Sequence, residues 1–114
     1  SYRHGLSRAK MSVVLDYMNA HLNRNIELAE LAELVELSKF HFLRLFRTAC
    51  GVTPHDYLVR RRVEVATNIL LHEDASLAEV AYRLGFADQS HFTRHFRRIT
   101  GASPGRLRRE HRSY

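Results

Sequence analysis

The sequence predicts an all-α fold: seven helices, arranged as two helix-turn-helix subdomains joined by a long linker helix. Three observations lead there. Alternating apolar and polar runs of the strand type are nearly absent, whereas helix caps and helix stops recur along the chain. The helix lengths run long, short, medium, long, short, medium, short. One passage also occurs twice. His41-Phe42-x-Arg44-x-Phe46-Arg47, with Gly51-x-Thr53-Pro54, returns as His91-Phe92-x-Arg94-x-Phe96-Arg97, with Gly101-x-Ser103-Pro104; each position lies 50 residues after its counterpart (91 − 41 = 50). Thr53 and Ser103 differ but keep the hydroxyl. Self-similarity at a fixed offset marks one supersecondary unit used twice.

The elements follow in order. Leu6, Val13, Val14, Tyr17, Met18 and Leu22 form an apolar stripe over a first helix, about residues 7–22. Asn23-Arg24-Asn25 breaks it. Leu28, Leu31, Ala32 and Val35 share one side of a short second helix, about 27–35. Ser38 caps a third helix over 39–50, and Gly51 stops it. Thr53-Pro54 opens a fourth, with proline at the first helical position, and nothing breaks it before about His72. Ser76-x-x-Glu79 is a capping box for a short fifth helix ending near Leu84-Gly85. A sixth runs over about 88–100 to Gly101, and Ser103-Pro104 opens a last helix of one or two turns. The expected organisation is a first subdomain over 1–53, a linker helix over 54–72 and a second subdomain over 73–114.

Both short-then-medium pairs have the helix-turn-helix layout. Ala32 and Ala81 fit the small position where two helices cross closely. Gly85 fits the turn, where a positive φ is needed; its counterpart Glu36 does not fit. Turn position to core phenylalanine is 10 residues in the first pair (46 − 36) and 11 in the second (96 − 85), so the second turn holds one extra residue. In the third helix Phe42, Leu45, Phe46 and Ala49 follow the spacing of a core face. Phe40, Leu43, Arg44 and Arg47 follow it on another face, with Lys39 beside them. In the sixth helix Phe92, Phe96 and Ile99 point inward. Ser90, Thr93, Arg94 and Arg97 point outward, with Gln89 at the entrance. Amide, hydroxyl and guanidinium groups near a helix N-terminus are what a recognition helix brings to base edges.

Composition agrees. The formal charge is +6 in 114 residues, and 16 of the 18 cations are arginine, whose planar fork matches phosphates and guanine edges. Hydrophobic residues make up 45%, enough for a packed core. With a single cysteine, Cys50, no internal disulfide or cysteine-rich zinc site is available, which fits a reducing compartment. No apolar run approaches the ~18 residues of a membrane span, and no signal peptide is visible, so a cytoplasmic location is expected. There is no phosphate loop, paired acid site or nucleophile constellation. His91 and His95 stand at i, i+4, but without a third ligand. Neither an enzyme, a cofactor nor a metal is expected.

These residues resemble the DNA-binding domain of AraC/XylS-type bacterial transcription regulators, from about Leu6 to Arg109. The similarity is most specific at Arg62-Val63-x-x-Ala66, Leu84-Gly85-Phe86, Phe92, Phe96, Gly101 and Pro104. It implies seven helices with two reading units, and base-reading positions at Lys39, Phe40, Leu43 and Arg44 in the first. In the second it implies Gln89, Ser90, His91, Thr93 and Arg94. It also implies contact with RNA polymerase and, in a full-length regulator, an effector-binding or dimerisation domain preceding Ser1. Phosphate contacts are expected from Ser38, Arg47, Arg60, Arg61, Arg62, Arg97 and Arg98, with the tail arginines Arg106, Arg108, Arg109 and Arg112 as further candidates. A linker helix of 19 residues is about 28 Å long, close to the ~34 Å of one duplex turn. The expected function is sequence-specific binding of double-stranded DNA, with two recognition helices in successive major grooves. The rival is a basic helical protein-interaction or architectural DNA-binding module.

Overall fold

The computed structural model describes residues 6–112; positions 1–5 of the expected first subdomain and 113–114 of the second lie outside them. Seven helices and no strand occur among the described residues: α1 Arg8–Ala20, α2 Leu28–Leu34, α3 Lys39–Cys50, α4 Pro54–His72, α5 Leu77–Arg83, α6 Gln89–Thr100 and α7 Pro104–Arg112. The bounds of α3 and α4 are those read from the sequence. The last helix, with 9 residues, is longer than one or two turns.

Local chemistry accounts for most boundaries. Ser7, Ser38, Ser76 and Asp88 each stand in extended backbone before a helix, and each side chain accepts a hydrogen bond from the amide three residues on. Thr53 and Ser103 do the same for the amides of Asp56 and Arg106. At α2 the Glu30 carboxylate accepts from the Glu27 amide at 3.0 Å and also receives the Tyr17 hydroxyl. Helices α3 and α6 both end on left-handed glycines, whose amides donate to Arg47 O at 2.8 Å and Arg97 O at 2.9 Å.

The chain divides into two units. Among the described residues, one comprises residues 6–21 together with Asn25–Leu58; the other comprises Leu22–Arg24 and residues 59–112. The helix expected to be a separate linker is therefore shared: Pro54–Leu58 pack with the first unit and Val59–His72 with the second. In the first unit Val14, Met18, Leu31, Ala32, Val35, Phe42, Phe46 and Leu58 are buried. Phe46 meets Tyr57 edge-on at 6.1 Å. In the second, Val59, Val63, Ala66, Ile69 and Leu70 of α4 pack with Val80, Ala81, Leu84, Phe86, Phe92 and Phe96. Five of these eleven core residues are thus supplied by α4. Leu45 is only half-buried and Ala49 is exposed, so the inward stripe of α3 narrows to its two phenylalanines.

Both helix-turn-helix turns are built alike. Leu37 N–H donates to Ala32 O at 3.0 Å, and Phe86 N–H donates to Ala81 O at 3.0 Å. Between them stand Glu36, with φ 57°, and Gly85, with φ 79°. This is the six-to-one bond of a Schellman ending, which requires a left-handed residue at that point. The glutamate that did not fit from sequence adopts the required conformation despite its side chain.

Candidate nucleic-acid interface

In the first unit α2 packs on α3, and Phe42 and Phe46 are fully buried. That anchoring leaves Lys39, Phe40, Arg44 and Arg47 exposed. Phe40 is 81% exposed. Phe40, Leu43, Arg44 and Arg47 line one shallow surface groove together with Thr48. Leu43 is half-buried and also lines an apolar cavity of about 160 Å³ with Met18, Ile26, Leu28, Leu31 and Leu58. It is as much a core residue as a surface one. Ser38 is exposed, but its hydroxyl is committed to the His41 amide at 3.2 Å.

In the second unit α5 packs on α6 in the same way, with Phe92 and Phe96 fully buried. Gln89, Ser90, Arg94, Arg97 and Arg98 are exposed, and Thr93 is half-buried. Among the described residues, the side chains of Arg44, Arg47, Arg94 and Arg97 make no hydrogen bond or ion pair. Two guanidiniums per helix, at matching positions 50 residues apart, are thus presented outward. Arg98 instead donates to His95 Nδ1 at 3.0 Å.

Three expectations need correcting. Arg62, expected on phosphate, is 4% exposed. Its Nε donates to Leu22 O at 2.7 Å and an Nη to Arg24 O at 2.8 Å, and burial lowers its pKa from the usual arginine value. A guanidinium held in this way has no face left for DNA. His91 is half-buried and turned into the fold. Its ring meets Phe86 edge-on at 5.9 Å, Nε2 lies 3.0 Å from His95 Nε2, and Nδ1 is 3.4 Å from the Ala87 amide. Both nitrogens have protein partners, which removes the hydrogen-bonding edge that base reading requires. Of the tail arginines, Arg106, Arg108 and Arg112 also bond within the fold. Arg108 donates to Leu70 O at 3.2 Å and Glu73 O at 3.3 Å; Arg112 donates to Glu73 O and, at 2.7 Å, to the Asp74 carboxylate. They satisfy carbonyls left open at the end of α4. Arg106 pairs with Glu110, which raises its pKa.

Arg60 is exposed, and the partly exposed Arg61 pairs with Glu64, an arrangement a phosphate could replace at small cost. Phe86, whose role has no local signal in the sequence, is buried against His91, Phe92 and His95. Tyr82, equally unmarked in the sequence, is 84% exposed on α5. Among the described residues no group of three or more His, Cys, Asp or Glu side chains could hold a metal, and no helix is long and apolar enough to cross a membrane.

Two helix-turn-helix motifs, whose second helices are each capped by an oxygen-bearing side chain and pinned by paired phenylalanines, define a helix-turn-helix DNA-binding protein. The family profile described as "Helix-turn-helix domain" matches residues 31–110, and the chain belongs to the AraC-type family of bacterial transcription regulators. It is 36% identical over 101 residues to the probable transcriptional regulator LumQ of Photobacterium leiognathi, covering 89% of this chain and 41% of that protein. To the transcriptional activator RhaS of Escherichia coli O139:H28 it is 34% identical over 102 residues, covering 90% and 37%. Among solved structures it is similar to the DNA-binding domain of AdpA in complex with a target DNA, with a TM-score of 0.85 and 33% identity, covering 91% of this chain and 94% of that one. The chain thus spans about two fifths of the length of the curated relatives it matches. The family and these relatives are DNA-binding regulators, not enzymes, and this chain is a sequence-specific DNA-binding module of that kind.

Proposed function

We propose that α3 and α6 each enter a major groove of one duplex, in successive turns, and read two different base elements. The observation that carries this is the repeated register of Arg44 and Arg94, each exposed on a helix whose paired phenylalanines are fully buried. Lys39, Phe40, Leu43 and Arg44 read the first element; Gln89, Ser90, Thr93 and Arg94 read the second. Phe40 and Leu43 suit thymine methyls, and the arginines suit guanine. Arg47, Arg60, Arg61, Arg97 and Arg98, with Ser38 at the helix start, serve the phosphates. The 19 residues of α4 are long enough, at about 28 Å, to suit one duplex turn between the elements.

Selection of bound sites from a random duplex pool tests this. The expected result is two preferred blocks about 10 base pairs apart. A single block, or equal binding to all duplexes, overturns it. Binding to the selected site weakens steeply with salt while keeping its preference over competitor DNA.

The regulator containing this module is proposed to activate transcription by contact with RNA polymerase, a reading supported by the description of RhaS as an activator. It is further proposed to carry an effector-binding or dimerisation domain and to work in the cytoplasm on the nucleoid. A reporter fused behind the selected site rises on expression of the full-length regulator if this holds, and falls if the protein represses.

A further inference from the structure

We infer that Arg62 is a positioning residue for the second reading helix, acting through Phe86, and that the backbone of Leu22–Arg24 is part of that reading head. The inference rests on the proposal that α6 reads bases. All the residues involved lie in one unit. The Arg62 guanidinium bonds to Leu22 O and Arg24 O on one side. Its central carbon stands 5.5 Å from the centre of the Phe86 ring. That ring packs at 5.1 Å on Phe92 and at 5.9 Å on His91, in the first turns of α6. Gln89 and Ser90 follow Phe86 by three and four residues, so the ring's position sets where the entrance of α6 points.

The fit at this point leaves no slack. A Cβ on Gly85 would stand 2.8 Å from the carbonyl carbon and oxygen of Asn23 and 3.0 Å from the Arg62 guanidinium. The turn of the second motif is therefore seated directly on the Leu22–Arg24 backbone. A planar, multi-donor cation is the side chain that satisfies two carbonyls and still presents a face to an aromatic ring. Methionine fills similar space but donates nothing, and lysine keeps the charge without the fork. Arg112 occupies the same register 50 residues on (112 − 62 = 50) and also bonds to a loop carbonyl, but it is exposed and its hydrogen bonds go to Glu73 and Asp74, which makes it the control.

The test compares Arg62→Met, Arg62→Lys and Arg112→Met in two measurements on the same 114-residue chain. In random-pool selection, Arg62→Met is expected to lose about tenfold of its preference at the block read by α6, the scale of one charge-assisted bond, while keeping the block read by α3. Arg62→Lys recovers part of the loss, and Arg112→Met keeps both blocks. In hydrogen exchange of the free protein, Arg62→Met exchanges faster over residues 86–92 and unchanged over 40–50. Equal losses at both blocks, or exchange that quickens throughout, indicate general loosening and overturn the inference; so does wild-type behaviour in both measurements. If the wild-type chain selects no second block, the base-reading proposal for α6 fails, and the exchange pattern alone decides the positioning role. Should Arg62→Met fail to fold, Phe86→Leu leaves the Arg62 bonds in place and is expected to give the same selective loss.

Discussion

The two helix-turn-helix motifs share a backbone and differ in what surrounds it. Each turn closes with the same amide-to-carbonyl bond of 3.0 Å around a left-handed residue, yet that residue is Glu36 in one and Gly85 in the other. At Glu36 the side chain is exposed, so the only cost is the left-handed conformation itself, about 1 kcal/mol. At Gly85 the Asn23 backbone occupies the place of a side chain, and no other residue fits. The same bond pattern therefore tolerates a glutamate where the turn faces solvent and demands glycine where it is covered. The extra residue in the second turn follows from the same difference: Ser38 caps α3 two residues after Glu36, whereas Asp88 caps α6 three after Gly85, leaving room for Phe86 to bury. The outward faces differ more. The first offers Phe40 and Leu43 beside its arginines; the second offers Gln89, Ser90 and Thr93. One duplicated scaffold thus carries two dissimilar outward surfaces, as the proposed reading of two different base elements requires.

The sharpest way to break this comparison is at the turns. Gly85→Ala combines left-handed strain with a backbone collision and is expected to cost about 2–4 kcal/mol in urea unfolding. A cost below about 1 kcal/mol would mean that the second turn is no tighter than the first. Next come the reading arginines. Arg44→Ala and Arg94→Ala are each expected to lose roughly 1–3 kcal/mol on the preferred site, each relaxing a different block. Relaxation of the same block by both would abolish the division of labour, while Arg61→Ala should weaken all duplexes alike. Glu36→Gly should stabilise the chain by about 1 kcal/mol, visible as a raised Tm, because it removes the strain without filling new space. The smallest effect concerns Cys50 at the end of α3, whose thiol burial pushes above its ordinary pKa. Its alkylation should be slower in the folded chain than in urea. Because the folded value lies above the unfolded one, the stability this thiol contributes is complete below the unfolded value and declines as pH climbs through the folded one.

The set of helices, and the two phenylalanine pairs that pin α3 and α6, were legible in the order of residues alone. Capping oxygens, Pro54, Gly51, Gly101 and the apolar spacing are local signals, and they act within a turn or two of the residue that carries them. The outward register of Arg44 and Arg94 follows from the same periodicity. Which of the remaining cations are buried or bonded to backbone carbonyls depended on long-range packing. Arg60, Arg61 and Arg62 read alike in sequence, but Arg62 is buried because its partners, Leu22 O and Arg24 O, are 40 and 38 residues away. Arg108 and Arg112 are taken up by the end of α4 in the same way, and His91 by Phe86 and His95. A helix is written in neighbours, whereas the burial of a charge depends on which distant carbonyls the fold brings to it.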